Sequence, residues 1–176
     1  PNSTSPTLRG LFVRERFMCQ AIHLPTDQPP DITETQVRSN PKTTPELYEL
    51  HASQDTCAGC HALLDPVGFN FEDLDAAGRF RVTENGYPVD TTGVFQDSDV
   101  NGMMANRNDL AMALARSEWV RECVAIQAFR FYFGQVEANR GVPPVQAARL
   151  ALGSGAFRDA VIATMSSPST LLRVRK

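Results

Sequence analysis

Five consecutive residues, Cys57-Ala58-Gly59-Cys60-His61, constrain this chain more than any other stretch. A Cys-x-x-Cys-His pentad is the attachment signature of a c-type haem. Residues three and four apart share one face of a helical turn, so the sulfurs of Cys57 and Cys60 can reach adjacent vinyl groups. His61 rises from the same turn toward the iron. Two thioethers then fix the macrocycle, and the histidine supplies the proximal ligand that begins to set the redox potential. A structural zinc site would need four Cys or His ligands, usually as two close pairs. The other candidates, Cys19, Cys123, His23 and His51, are scattered singly. A thioredoxin-like pair would need a strand leading into the motif. The residues upstream are instead polar and punctuated by proline.

A chain of 176 residues is long enough for one domain, or one domain with an appendage. Seventeen basic against 20 acidic side chains argue against a general nucleic-acid binder. No apolar run approaches the roughly 20 residues of a membrane span, so no transmembrane segment is expected. Covalent haem attachment normally happens outside the cytoplasm, yet neither an initiator Met nor a signal peptide is seen. The expectation is a processed product or a piece of a larger exported protein, periplasmic in a bacterium.

Apolar residues at helical spacing predict a first helix from Thr7, as N-cap, to about Cys19–Ile22. Pro25, Pro29, Pro30 and Pro41 make residues 24–43 an irregular segment that wraps the surface. Thr44-Pro45 starts a helix running to about His51. After His61, Leu63-Leu64-Asp65-Pro66-Val67-Gly68-Phe69 reads as a stop and a turn. Phe69, Phe71, Leu74 and Phe80 are candidates to line a haem crevice. Glu72, Asp73 and Asp75 read as caps and ion-pair partners of Arg79 and Arg81.

Asn85-Gly86 predicts a small hairpin within residues 81–89. Residues 97–102, Asp-Ser-Asp-Val-Asn-Gly, copy the first half of an EF-hand loop. Position 12 of that loop would be Asn108 rather than Glu, which makes a solvated acidic turn the better reading than a Ca²⁺ site. Further helices are expected from about Asn108, from Ser117 to a stop at Gly134, and over 143–152 and 155–166. Asn2-Ser3-Thr4 matches a glycosylation acceptor, a pattern too short to carry weight.

The surroundings of the pentad are more specific than the pentad itself. The run from Ala62 through Phe69, then Phe71 through Arg81, with His51 ahead of it, resembles the carboxy-terminal haem module of the planctomycete-cytochrome-C-type proteins. These are large exported bacterial proteins whose terminal domains are of unknown function. The opening Thr4-Ser5-Pro6-Thr7-Leu8-Arg9-Gly10 with Arg14-Glu15-Arg16 and Cys19 is similar to the entry of that module. So are Cys123 with Phe129-Arg130-Phe131-Tyr132-Phe133-Gly134, and the closing Ser166-Ser167-Pro168. Leu64 stands where Met is expected, and Gln135 where Arg is usual. The resemblance implies one covalent haem c and a monohaem cytochrome module, without implying a reaction.

The expected fold is mainly α. A cytochrome c-like haem domain over 44–116 carries one small β-hairpin and follows an N-terminal helix and wrapping segment over 1–43. An additional C-terminal helical bundle over 117–176 packs on it. The cofactor-binding residues are Cys57, Cys60, His61, Phe69 and Phe71. Cys19 and Cys123 are left over in an oxidising compartment and are read as a disulfide, with two buried free thiols as the alternative. The distal iron ligand is left open among His51, Met103, Met104 and Met112, the remote His23, Met18 and Met165, and an open or other site. Met103 and Met104 are expected in a loop just before a helix, while His51 is the position the resemblance supplies. Electron transfer to a redox partner protein, or to the rest of a larger parent chain, is the leading function. A haem enzyme with an open iron site, peroxidase-like, and a haem-stabilised structural subunit are the alternatives.

Overall fold

The computed structural model describes residues 4–22, 40–53 and 55–168, and of residues 55–57 the backbone alone. Most of the expected wrapping segment, with His23, lies outside the described residues. The described chain is mainly helical with two small antiparallel strand pairs. It divides into two compact units, Pro1–Glu15 with Gln20–Arg116, and Arg16–Cys19 with Ser117–Lys176.

In the first unit, helix α1 spans Pro6–Phe12. Ser5 is its N-cap, accepting from the Leu8 N–H at 3.4 Å, and Pro6 occupies the first turn, where its missing N–H costs nothing. Thr7 therefore lies inside the helix and is not its cap. The helix then widens into a π-turn over Val13–Phe17 instead of continuing to Cys19. This places Arg14 inward, with no solvent exposure. Its Nε donates to the Leu63 carbonyl at 3.0 Å. Its two terminal nitrogens donate to Gln20 Oε1 and the Gln96 carbonyl, each at 2.9 Å.

Helix α2, Thr44–Ala52, has Thr43 rather than Thr44 as N-cap. The Thr44 N–H and hydroxyl donate to the Glu84 carboxylate at 2.6 and 2.7 Å, so a carboxylate faces the positive end of the helix. Helix α3, Asp55–Phe69, contains the pentad. It runs straight through Pro66, where the sequence predicts a stop. Pro66 has no N–H for the Ala62 carbonyl, but the turn beyond it is held by packing. Val67 is buried, and Gly68 lies against Pro6. A Cβ on Gly68 would fall 2.0 Å from the Pro6 oxygen, and one on Gly10 would fall 2.0 Å from the Leu64 oxygen. Helices α1 and α3 thus meet backbone to backbone.

Strands β1, Thr83–Glu84, and β2, Tyr87–Pro88, form the expected hairpin. Asn85 and Gly86 have φ of 50° and 84°, the left-handed pair that a tight primed turn requires. A second pair, absent from the sequence reading, joins β3, Gly93–Phe95, to β4, Gly102–Met104. Met103 and Met104 therefore lie on a strand and not in a loop. The EF-hand-like residues form the loop of this hairpin, where Asn101 Oδ1 accepts from the Ser98 N–H and hydroxyl. Helix α4, Arg107–Arg116, ends the unit.

In the second unit, α5 spans Glu118–Phe133. The Ser117 side chain caps it, accepting from the Val120 N–H at 3.1 Å, and Gly134 ends it at φ 61°. Helices α6, Pro143–Ser154, and α7, Phe157–Met165, pack with it around Ala125, Ile126, Phe129, Val145, Ala148 and Ala160. Three of these six are alanines, which lets the helix axes approach closely. Cys19 and Cys123 are joined by a disulfide, Cα atoms 5.3 Å apart, binding residues 16–19 to α5.

Candidate functional site

The first half of α3 sets the site. Cys60 is a half-buried free thiol, and the side chain of Cys57 lies outside the described residues. On the next residue, His61 Nδ1 is 2.7 Å from Asp65 Oδ2, one helical turn further on. The other oxygen, Oδ1, accepts from the Thr7 hydroxyl of α1 at 2.6 Å. Both carboxylate oxygens thus face a donor, the arrangement of an ionised Asp65. Burial is the largest influence and leaves the Asp65 carboxyl above the usual carboxylate range, with the Thr7 hydroxyl and the His61 ring opposing it. With Nδ1 donating to Asp65, Nε2 of His61 keeps its lone pair free.

Two more rings fence His61. His51, near the end of α2, meets it edge to face with centroids 4.9 Å apart. The Tyr48 ring lies 6.2 Å away, tilted by 51°. His51 is buried, and its Nδ1 has no hydrogen-bond partner among the described residues. Burial, with His61 beside it, holds His51 below the usual imidazole range, so the ring is neutral at neutral pH. Elementary desolvation argues the same way, because an unpartnered buried imidazolium would be costly.

The remaining candidates are placed differently. Phe69 and Phe71 are half-buried, and the Phe71 carbonyl accepts from Arg9 at 3.1 Å. Phe80 is 66% exposed beneath the Arg107 guanidinium. Met103 is 68% exposed on β4, whereas Met104 is buried and its carbonyl accepts from Asn70. The acidic cluster is structural. Glu72, fully buried, accepts from Arg9 at 2.9 Å, Arg81 at 2.7 Å and Thr4 at 3.0 Å. Asp75 holds Arg79 at 2.8 Å, and Asp73 pairs with Arg107. Sequence reasoning found the Arg79 and Arg81 pairings and missed Arg9, Arg107 and Thr4.

It also missed the partners of His61. The four-residue spacing from His61 to Asp65 on one helix face was a usable signal. Thr7, 58 residues from Asp65, offered none. Among the described residues no group of three or more His, Cys, Asp or Glu side chains could hold a metal ion by itself. No described helix is long and apolar enough to cross a membrane. The residues present suit a porphyrin-held iron, which takes four of its ligands from the macrocycle. That group asks the chain for an imidazole nitrogen and two thiols on one helix turn.

No curated protein and no solved structure matches the chain. A family model, PSCyt3, protein of unknown function (DUF1588), matches residues 1–84, which include α1, the pentad, His51 and Asp65. Over that stretch, just under half of the chain, the sequence is similar to PSCyt3, in agreement with the planctomycete-cytochrome-C-type family that the sequence resembles.

Proposed function

We propose that the first unit is a monohaem c-type cytochrome module, cytochrome c-like in fold, that carries one covalent haem for electron transfer. The observation that carries the reading is the pentad on α3 with His61 Nδ1 engaged by Asp65. Cys57 and Cys60 would hold the macrocycle through thioethers, and His61 would ligate the iron through Nε2. Phe69 and Phe71 are the aromatic side chains proposed to face the ring. Bound there, the haem iron supplies a one-electron couple, and the protein's part is to hold, orient and partly desolvate it. The partner is a redox protein or the remainder of a larger parent chain, in the periplasm or an equivalent exported location.

Mass spectrometry under denaturing conditions tests the core of this reading. Protein produced with a haem-attachment system should carry the mass of one haem, and Cys57→Ala/Cys60→Ala should carry none. Recovery of the bare polypeptide mass from the wild type overturns it. A further iron ligand, if the chain supplies one, would come from His51 or from the Met103–Met104 pair. The long-wavelength Met–Fe charge-transfer band, recorded for wild type, His51→Ala and Met103→Ala/Met104→Ala, assigns it.

One observation favours a second reading, a haem enzyme with an open iron. A carboxylate on the outer nitrogen of a ligating imidazole raises the basicity of that ligand, which suits an iron that reacts with small molecules. Rapid cyanide or carbon monoxide binding by the wild type selects this reading. An inert six-coordinate spectrum selects electron transfer.

A further inference from the structure

We infer that Asp65 and Thr7 form a positioning pair that locks His61 in the Nδ1–H tautomer and sets how strongly its Nε2 donates electrons. The inference deepens the haem reading given above and rests on it for its redox consequence, though not for the tautomer itself.

The geometry has three parts. Asp65 follows His61 by one turn of the same helix, so the carboxylate and the imidazole keep their relative position whenever α3 is formed. Its Oδ2 lies 2.7 Å from Nδ1, placed to accept a hydrogen bond from an Nδ1–H, and its side chain is only 5% exposed, so water competes little for that bond. The Thr7 hydroxyl occupies Oδ1 at 2.6 Å from a second helix. That contact stops the carboxylate from rotating away, and it draws off part of its negative charge. The hydroxyl is also 3.5 Å from Nδ1 itself, too long to replace Asp65 as the acceptor. The site therefore contains a brake as well as a base: Asp65 enriches the imidazole and Thr7 moderates Asp65.

His51 and Tyr48 restrict the ring without setting its charge. Each approaches His61 through its own ring, with centroids 4.9 Å away for His51 and 6.2 Å for Tyr48. Glu72, the other buried carboxylate near α1, is already satisfied by Arg9, Arg81 and Thr4. Asp65 is therefore the group positioned to act on His61 among the described carboxylates.

Two directions follow. A carboxylate hydrogen bond makes the ligand more electron-donating and stabilises the oxidised iron, so removing its charge raises the reduction potential. Asp65→Asn should shift the midpoint to more positive values and, where the ferrous iron is five-coordinate, lower its Fe–His stretching frequency in resonance Raman spectra. Asp65→Glu should recover part of both shifts. Thr7→Val, which leaves the carboxylate more basic, should move both in the opposite direction. A merely structural role for Asp65 would lower stability in these variants without this ordered pair of opposite shifts.

Denaturing mass spectrometry on every sample establishes first whether haem is attached. If it is, potentials and Raman frequencies unchanged in Asp65→Asn, or shifted the same way in Asp65→Asn and Thr7→Val, overturn the proposal. If wild type carries no haem, the haem reading fails by itself. The ¹⁵N shifts of the His61 ring in that same protein then decide the positioning claim. A protonated Nδ1 and bare Nε2 in wild type, lost in Asp65→Asn, uphold it; the opposite tautomer in wild type overturns it.

Discussion

At the scale of single residues, Arg14 ties together three separate segments of the first unit. A buried guanidinium with no direct carboxylate partner among the described residues is tolerable because three oxygens receive its donors and Phe95 lies under it, 4.9 Å from the guanidinium carbon to the ring centroid. Burial pulls its pKa below the usual arginine value, with Asp97 opposing. Leaving buried acceptors unmatched costs about 1–3 kcal/mol each. Arg14→Met should therefore lower stability by about 3 kcal/mol, read as a drop in the urea midpoint. Arg14→Lys should rescue little, since one ammonium cannot serve three separated acceptors in the planar fork of a guanidinium. Wild-type midpoints for either variant would refute this role. Arg14 also shows what composition hides. The surrounding Arg-Glu-Arg run reads as a solvated helix face, and only the π-turn rotates its first member into the core.

At the scale of elements, two junctions make opposite use of small groups and charges. The α1–α3 crossing depends on Gly10 and Gly68, whose added Cβ atoms would fall at 2.0 Å from backbone oxygens that cannot rotate away. Gly10→Ala should cost about 1–3 kcal/mol or more, because overpacked helices must separate. Gly59, inside the pentad on the same helix α3, has no neighbour within 4 Å of such a Cβ. Gly59→Ala should instead raise stability by roughly 0.5–1 kcal/mol through helix propensity. Equal effects of the two changes in thermal unfolding would defeat the close-contact argument. The β1–α2 junction depends on Glu84. Burial raises its pKa, but Thr44 and Arg81 outweigh that and leave it below the usual carboxylate range. A carboxyl depressed in the folded state contributes stability that is present above the unfolded-state value and lost as pH falls through the folded one. Stability measured from pH 6 downward should decline less steeply in Glu84→Gln than in wild type, and parallel curves would show Glu84 to be idle. Most of this element structure was legible in the sequence because its signals are local. Ser117 and Gly134 delimit α5, and Asn85-Gly86 forces the first hairpin. The failures were tertiary. Pro66 reads as a stop because its local cost is plain, while the packing of Val67 and Gly68 that offsets it is not. Strands β3 and β4, three residues each, are too short to show alternation, so Met103 and Met104 read as loop. In the site, the pentad was plain and Asp65 was visible only as an i,i+4 partner. Thr7 required the fold.

At the scale of the whole molecule, the chain enters the second unit twice: residues 16–19 join it, residues 20–116 return to the first, and residue 117 enters the second again. Within this four-residue visit Met18 is fully buried and Cys19 packs against the core of the second unit, and a covalent tie adds to that packing. Cys19 supplies that tie to Cys123, and Arg140 adds a donor to the Cys19 carbonyl at 2.9 Å. The bridge spans a sequence separation of 104. In the chain-entropy view a loop of about 100 residues is worth roughly 4–5 kcal/mol, and measured values are often smaller. Because the cysteines are paired, alkylation of denatured, unreduced protein should label neither Cys19 nor Cys123, and labelling of both should follow reduction. The double variant Cys19→Ser/Cys123→Ser should then lose stability unevenly. Two units need not unfold as one, so hydrogen exchange is the suitable readout. Amides of α5 around Cys123 should exchange faster in the double variant, by up to about a thousandfold if 4 kcal/mol is realised. Those of α3 should change far less, since no atom of the bridge belongs to the first unit. Uniform acceleration across α3 and α5 would mean that the two units open together and that the disulfide stabilises the molecule as one cooperative body.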